Sequence, residues 1–230
     1  ADRAQQIINA LQVSWQLPYS IPNQRVEHVY QPSPIPNGYW RSIGHSQNTF
    51  FVESFIDEMA HLGGRDPYEF RRELLAENER VRHVLERAAV LGNWGEPETE
   101  GAAQGIALCV HYGSILALVC EATVEAESRD VVIHRLSAAV DCGFAVRPTG
   151  VRAQVEGGLL FGLSAALHEE ITFERGRVQE SNLHNYELLR PSEVPEIPEL
   201  NEEIEEVAAA NAVFLAAAAS VTKNIRLGHG

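Results

Sequence analysis

With 230 residues, 45% of them hydrophobic and 22% charged, the chain has a globular composition and enough apolar material for a sizeable core. A formal net charge of −14 with no basic stripe excludes nucleic acid as a partner, because phosphates need cations to neutralise them. Cys109, Cys120 and Cys142 lack C-x-x-C spacing and each falls in an apolar, strand-like run, so they read as buried structural thiols rather than metal ligands.

Residues 1–10 are polar and lack the apolar core of a secretory signal. Residues 2–11 are expected to form a short helix with Ile7, Ile8 and Leu11 on one side. Prolines make the next segment extended, and Val26-Glu27-His28-Val29-Tyr30 alternates weakly enough to be a strand. A proline-rich turn then delivers the chain to Gly38-Tyr39-Trp40-Arg41-Ser42-Ile43-Gly44-His45-Ser46-Gln47. This is a glycine-bounded turn feeding a helix. Free N–H groups and the positive end of a helix dipole would face one point there, and Arg41 adds a planar fork suited to phosphate or carboxylate. The same turn is equally readable as a surface arginine paired with a carboxylate.

From Gln47 to Leu62 the positions Phe51, Phe55, Met59 and Leu62 recur at helical spacing and read as the buried stripe. Glu53 on another side reads as a solvated or locally paired residue. Gly63-Gly64 ends that helix. Asp66-Pro67-Tyr68-Glu69 then carries a cap, a proline suited to the first helical position and a capping-box glutamate. Helices are expected through Leu75 and across Val81, Val84, Leu85 and Ala88.

The texture changes at Gly105. Three β-branched, apolar runs, 105–113, 114–124 and 131–140, are joined by short links and predict an antiparallel meander. Pro148-Thr149 opens a helix to about Leu167 whose Gly157, Gly158 and Gly162 cost ~1 kcal/mol each relative to alanine. Close approach of another backbone, or tight packing on the sheet, would account for them. A hairpin turning at Arg175-Gly176 and an irregular segment from Asn182 to Pro191 follow. His184, beside asparagine and tyrosine, reads as structural, and no Ser/His/Asp grouping is evident. Residues 202–221 begin acidic and continue alanine-rich, as a helix does. The apolar run 207–221 is interrupted by Asn211 and too short to span a bilayer, so no transmembrane segment is expected.

The expected fold is α+β: a mainly antiparallel sheet with helices packed on it, in a single domain over 1–230. Its parts are a mainly helical portion with the arginine loop (1–95), the sheet and glycine-bearing helix (96–200), and a C-terminal helix and tail (201–230).

Several segments, in order, carry a resemblance. They are the Trp40-Arg41 loop, Phe51 to Glu58, Asp66-Pro67, Arg71-Arg72, Val140-Asp141-Cys142-Gly143 with Val146 and Pro148, Arg152 to Gly158 with Phe161-Gly162-Leu163, and Asn182 to Tyr186. Together they resemble the C-terminal portion of the molybdenum-cofactor-binding subunit of the xanthine oxidase family, in its aldehyde dehydrogenase and isoquinoline 1-oxidoreductase beta-subunit branch. The match runs over 16–196 and resumes over 210–226.

The resemblance implies a molybdenum–pterin cofactor, with Trp40, Arg41, Ser42, Ile43 and Gly44 on its side. It also implies oxidation of aldehydes or N-heterocycles by water-derived hydroxylation, an iron–sulfur subunit as electron partner, and a periplasmic or membrane-associated setting. The family's glycine-rich cofactor loops, in the N-terminal half of its subunit, are absent here, so that half is an expected partner and the cofactor is not expected to stay on this chain alone. The family also carries a catalytic glutamate in a Gly-x-Gly-Glu segment. Glycine is absent from 177 to 227, and Glu199, at about the expected position, lacks that motif, so no catalytic residue is named. The competing expectation is a non-catalytic remnant, or an engineered excised scaffold of the fold, with no cofactor.

Overall fold

The computed structural model describes residues 17–32, 34, 35 and 38–198. The helices expected at 2–11 and within 202–221, and Glu199, lie outside the described residues. Within them the order is α1 (Gly44–Leu62), α2 (Pro67–Leu74), α3 (Glu79–Leu91), β1 (Ala103–His111), β2 (Ser114–Val124), β3 (Val131–Asp141), α4 (Pro148–Leu167), then a short hairpin of β4 (Phe173–Glu174) and β5 (Arg177–Val178). The α+β class and the antiparallel meander expected from the sequence are both present.

The three long strands pair antiparallel in the order β1-β2-β3. Tyr112 and Gly113, at φ 49° and 84°, join β1 to β2 as a two-residue turn whose left-handed residues match the twist of the strands. A bulge at Glu121/Ala122 shifts the β2–β3 register. There Leu136 N–H donates to Glu196 O (2.9 Å) and Glu196 N–H to His134 O (3.0 Å), so the chain returns along the outer edge of β3.

Both faces of the sheet are covered. Val155, Leu159 and Leu163 of α4 pack on Ala107, Cys109, Leu116, Leu118, Cys120 and Leu136. Against the other face, Val81, Val84, Leu85 and Ala88 of α3, with Ile56 of α1, pack on Ile106, Leu108, Ala117 and Val119. Burial on two faces is why the strands are almost uninterrupted apolar runs rather than alternating ones. Each fully buried Leu contributes about 1.5–3 kcal/mol of transfer free energy. Cys109 and Cys120 are buried in this core, whereas Cys142 lies beyond β3 and is half-buried.

Helix α2 starts as its sequence prescribes: Asp66 accepts from Glu69 N–H at 2.9 Å and Pro67 holds the first helical position. Helix α1 differs from expectation in two ways. It begins at Gly44, and its apolar stripe faces outward, with Phe51, Phe55, Met59 and Leu62 all exposed. The side turned inward is polar: His45, Ser46, Asn48, Thr49, Glu53 and Asp57 are buried there with Ile56 and Ala60. Glu53 is therefore a core residue rather than a solvated one. Its carboxylate accepts from Tyr19 Oη (2.8 Å), Arg71 Nε (3.0 Å) and Leu108 N–H (3.0 Å), joining the first described segment, α1, α2 and β1 at one point. Residues 26–30 form no strand and are exposed.

Candidate functional site

The Trp40-Arg41 turn sits where α1 begins and rests on α4. Trp40 meets Phe161 with ring centroids 5.5 Å apart. The Arg41 guanidinium lies 5.5 Å from the same ring, and its Nη2 donates to Gln154 Oε1 at 3.4 Å. Phe161 thus serves two neighbouring side chains of the turn, one by aromatic contact and one by cation–π attraction.

The backbone of the turn is strained. Ser42 and Ile43 have φ of 72° and 49°, a region that costs a β-branched residue on the order of 1–3 kcal/mol. Hydrogen bonds hold it there. Ile43 N–H donates to Trp40 O (3.0 Å), His45 N–H to Ser42 O (3.0 Å), and Ser46 Oγ to Arg41 O (2.7 Å). These bonds consume backbone donors that the sequence left open, so the cradle is narrower than a bare helix N-terminus. Among the five candidate residues Trp40 and Arg41 are exposed, Ser42 and Gly44 buried and Ile43 between.

Behind the turn, His45 of α1 stacks on His111 at the end of β1, with centroids 3.6 Å apart and planes inclined by 27°. Tyr112 also stacks on His111, with centroids 4.3 Å apart and planes inclined by 28°. Burial, with the neighbouring His111, lowers His45 from 6.5 to about 4, and burial lowers His111 as well. Both rings are held neutral. Neither ring nitrogen of His111 has a hydrogen-bond partner among the described residues. Periodicity gave no signal for this pair, nor for Gln154 and Phe161 as partners of Arg41.

Near the same end of the sheet, Arg80 of α3 makes a two-point contact with Asp141 (2.7 and 2.6 Å), and Asp141 also accepts from Gly143 N–H. This fixes the segment leading to α4, on which Phe144 and Val146 are 83% and 87% exposed. His184 is exposed, in a turn held by Asn185 Oδ1 accepting from Ser181 N–H and Asn182 N–H. Among the described residues no group of three His, Cys, Asp or Glu is placed to hold a metal ion, and no helix is long and apolar enough to cross a membrane.

Two molybdopterin cofactor-binding domain models match the chain, one over residues 1–75 and the other over residues 76–195. Isoquinoline 1-oxidoreductase subunit beta of Brevundimonas diminuta is 34% identical over 78% of this chain and 23% of its own length. The membrane-bound aldehyde dehydrogenase (pyrroloquinoline-quinone) of Gluconacetobacter polyoxogenes is 31% identical over 76% of this chain and 24% of its own length. The chain thus spans about a quarter of the length of these curated relatives. The fold is similar to that of the aldehyde oxidoreductase from Desulfovibrio desulfuricans, with a TM-score of 0.57 and 12% identity over 80% of this chain and 38% of the other. With its strained arginine turn inside one matched region and its sheet inside the other, the chain belongs to the molybdopterin cofactor-binding domain family of molybdenum hydroxylases.

Proposed function

We propose that this chain forms one wall of a molybdenum–pterin site in an enzyme that oxidises aldehydes or N-heterocycles with water-derived oxygen. The observation that carries the proposal is the Trp40-Arg41 turn, strained at Ser42 and Ile43 and braced by α4, within a region matched by a cofactor-binding model. Strain that the surroundings hold in place supports a functional role. When bound, the molybdenum centre supplies the two-electron redox chemistry.

The chain's own contribution is positional. Arg41, steadied by Gln154 and Phe161, offers a fixed cation and planar donors to an anionic group of the cofactor. Trp40 shields that contact, and Ser42, Ile43 and Gly44 bring backbone close to it. The neutral His45–His111 stack adds no competing positive charge behind the turn. The names of the two relatives support aldehyde and N-heterocycle substrates, and the word subunit in one supports an assembly. The proposed partners are further cofactor-binding segments and an iron–sulfur subunit that receives electrons.

A second reading, a folded scaffold without catalysis, is favoured by the lack of any Gly-x-Gly-Glu between 177 and 227. Metal analysis separates the two. The chain, alone and together with the remainder of a family subunit, is incubated with purified molybdenum–pterin cofactor, and retained molybdenum is counted. Retention in the assembled form, reduced at least about tenfold by Arg41→Ala and partly restored by Arg41→Lys, supports the first reading. No molybdenum in either form overturns it.

A further inference from the structure

His111 is the last residue of β1 and is only 6% exposed, with its ring stacked on that of His45 at a centroid distance of 3.6 Å. A neutral imidazole has one N–H donor and one acceptor, and neither finds a partner among the described residues. Leaving both unsatisfied in the interior is unfavourable, and a phenylalanine would stack there without that penalty. Packing alone therefore does not account for histidine at this position. What it has and phenylalanine lacks is a site for a proton.

The ring it touches belongs to the strained turn. His45 is the second residue of α1, its N–H donates to Ser42 O at 3.0 Å, and Ser42 and Ile43, just before the helix, hold φ of 72° and 49°. A stack that fixes His45 against the sheet also fixes the end of that turn. The strain favours opening once the stack is lost. We infer that His111 is a positioning residue for the Arg41 turn and acts as a proton-operated brace. Uncharged, it holds the turn closed; on taking up a proton from solvent at a ring nitrogen, it leaves the stack for water and the turn relaxes. The consequence for cofactor retention rests on the reading of the turn proposed above, whereas the opening itself does not.

The surroundings of His111 offer its charged form no anion. From α1 it faces His45, and from the turn after β1 it faces Tyr112. Cys109, two residues back on β1, is buried and its thiol is pushed up to about 12. Asp141 at this end of the sheet and Glu53 further along α1 are already engaged by Arg80 and Arg71, and Arg41 is held by Gln154. Burial lowers His111, with no charged group contributing. The opened form therefore takes up the proton first. The closed turn is intact above the ordinary imidazole range and loses stability as pH falls through it.

Hydrogen exchange in the full chain tests this without any cofactor. The Ile43 and His45 amides report the turn, and the Leu118 amide, in the central strand, reports global unfolding. Between about pH 7.5 and about pH 5, protection of the two turn amides is expected to fall at least about tenfold more than that of Leu118. His111→Phe keeps a ring but not the proton site. It is expected to match the parent at the higher pH and to lose at least about threefold less protection on acidification. His111→Ala removes the ring and is expected to leave the turn amides at least about tenfold less protected already at the higher pH, with a smaller loss at Leu118. Equal acid losses in His111→Phe and the parent, or turn amides that follow Leu118 in every variant, would overturn the inference. Molybdenum retained by the assembled form on acidification should follow the same order. Failure of every form to retain molybdenum overturns the cofactor reading alone, and the amides still decide the brace.

Discussion

Arg71 Nε lies 3.0 Å from Glu53 Oε2, and water reaches neither side chain: they are 0% and 2% exposed. The guanidinium also donates to Asp57 Oδ1 at 2.5 Å, to Pro67 O and to Glu53 O. Burial works against the charge of Arg71, but the Glu53 and Asp57 carboxylates outweigh it and raise its pKa. Burial likewise pushes the Glu53 carboxyl up, opposed by Arg71 and by the Leu108 and Tyr19 donors. Removing one partner strands the others in the core. Arg71→Met is expected to cost about 3–5 kcal/mol, measured as a loss of urea midpoint. Arg72→Met, at the neighbouring exposed pair with Glu69, should cost under about 1 kcal/mol.

The His45–His111 stack makes stability depend on pH, and the sign follows from the direction of the shift. His45 is lowered from 6.5 to about 4, so as pH falls the unfolded chain takes up its proton first. Its contribution is intact above pH 6.5 and is lost progressively as pH falls from 6.5 towards 4. His111, also lowered by burial, acts in the same sense. His45→Phe keeps a ring against His111 and removes one proton site. The expected result is a smaller fall in urea midpoint for the variant than for the parent between neutral and mildly acidic pH. Equal slopes would show that the stack does not govern acid sensitivity.

The strands, the Asp66-Pro67 helix start and α4 were legible because each is written locally, in apolar runs, a capping pair or a proline opening. The burial of α1 was not. Periodicity locates a stripe of Phe51, Phe55, Met59 and Leu62, but which side turns inward depends on Arg71, which belongs to another helix and makes Glu53 and Asp57 affordable in the core. The candidate site shows the same division. The arginine turn stands out in the sequence, yet its braces are distant: Gln154 is 113 positions from Arg41. A lone histidine on a helix and another at a strand end give no warning that they stack.

Gly92, just past α3, is kept small by the sheet. A Cβ there would fall 2.5 Å from Val119 Cβ and 2.6 Å from its Cγ1, and a β-branched side chain on a central strand has little room to yield. Gly92→Ala is therefore expected to lower stability by about 1–3 kcal/mol. Val119→Ala in the same chain should recover only a small part of the loss, because it removes both Cγ atoms but leaves Val119 Cβ, the nearest atom to the new methyl group, in place. Chemical denaturation of the two single variants and the double variant measures this coupling.

Gly157 makes the opposite case. It lies within α4, where glycine carries a conformational cost, yet a Cβ built on it meets nothing within 4 Å. Neither of the two accounts offered by the sequence, close approach of another backbone or tight packing on the sheet, therefore holds at this glycine among the described residues. Gly157→Ala should stabilise the chain by about 0.5–1 kcal/mol, chiefly by restricting its unfolded state. The informative measurement pairs that gain with cofactor retention in the assembled form. If the variant is more stable and holds molybdenum as well as the parent, Gly157 has no contact to protect. If it is more stable but retains less, the open space beside α4 is where a further part of the cofactor-binding assembly comes close, and the glycine is kept at the expense of helix stability.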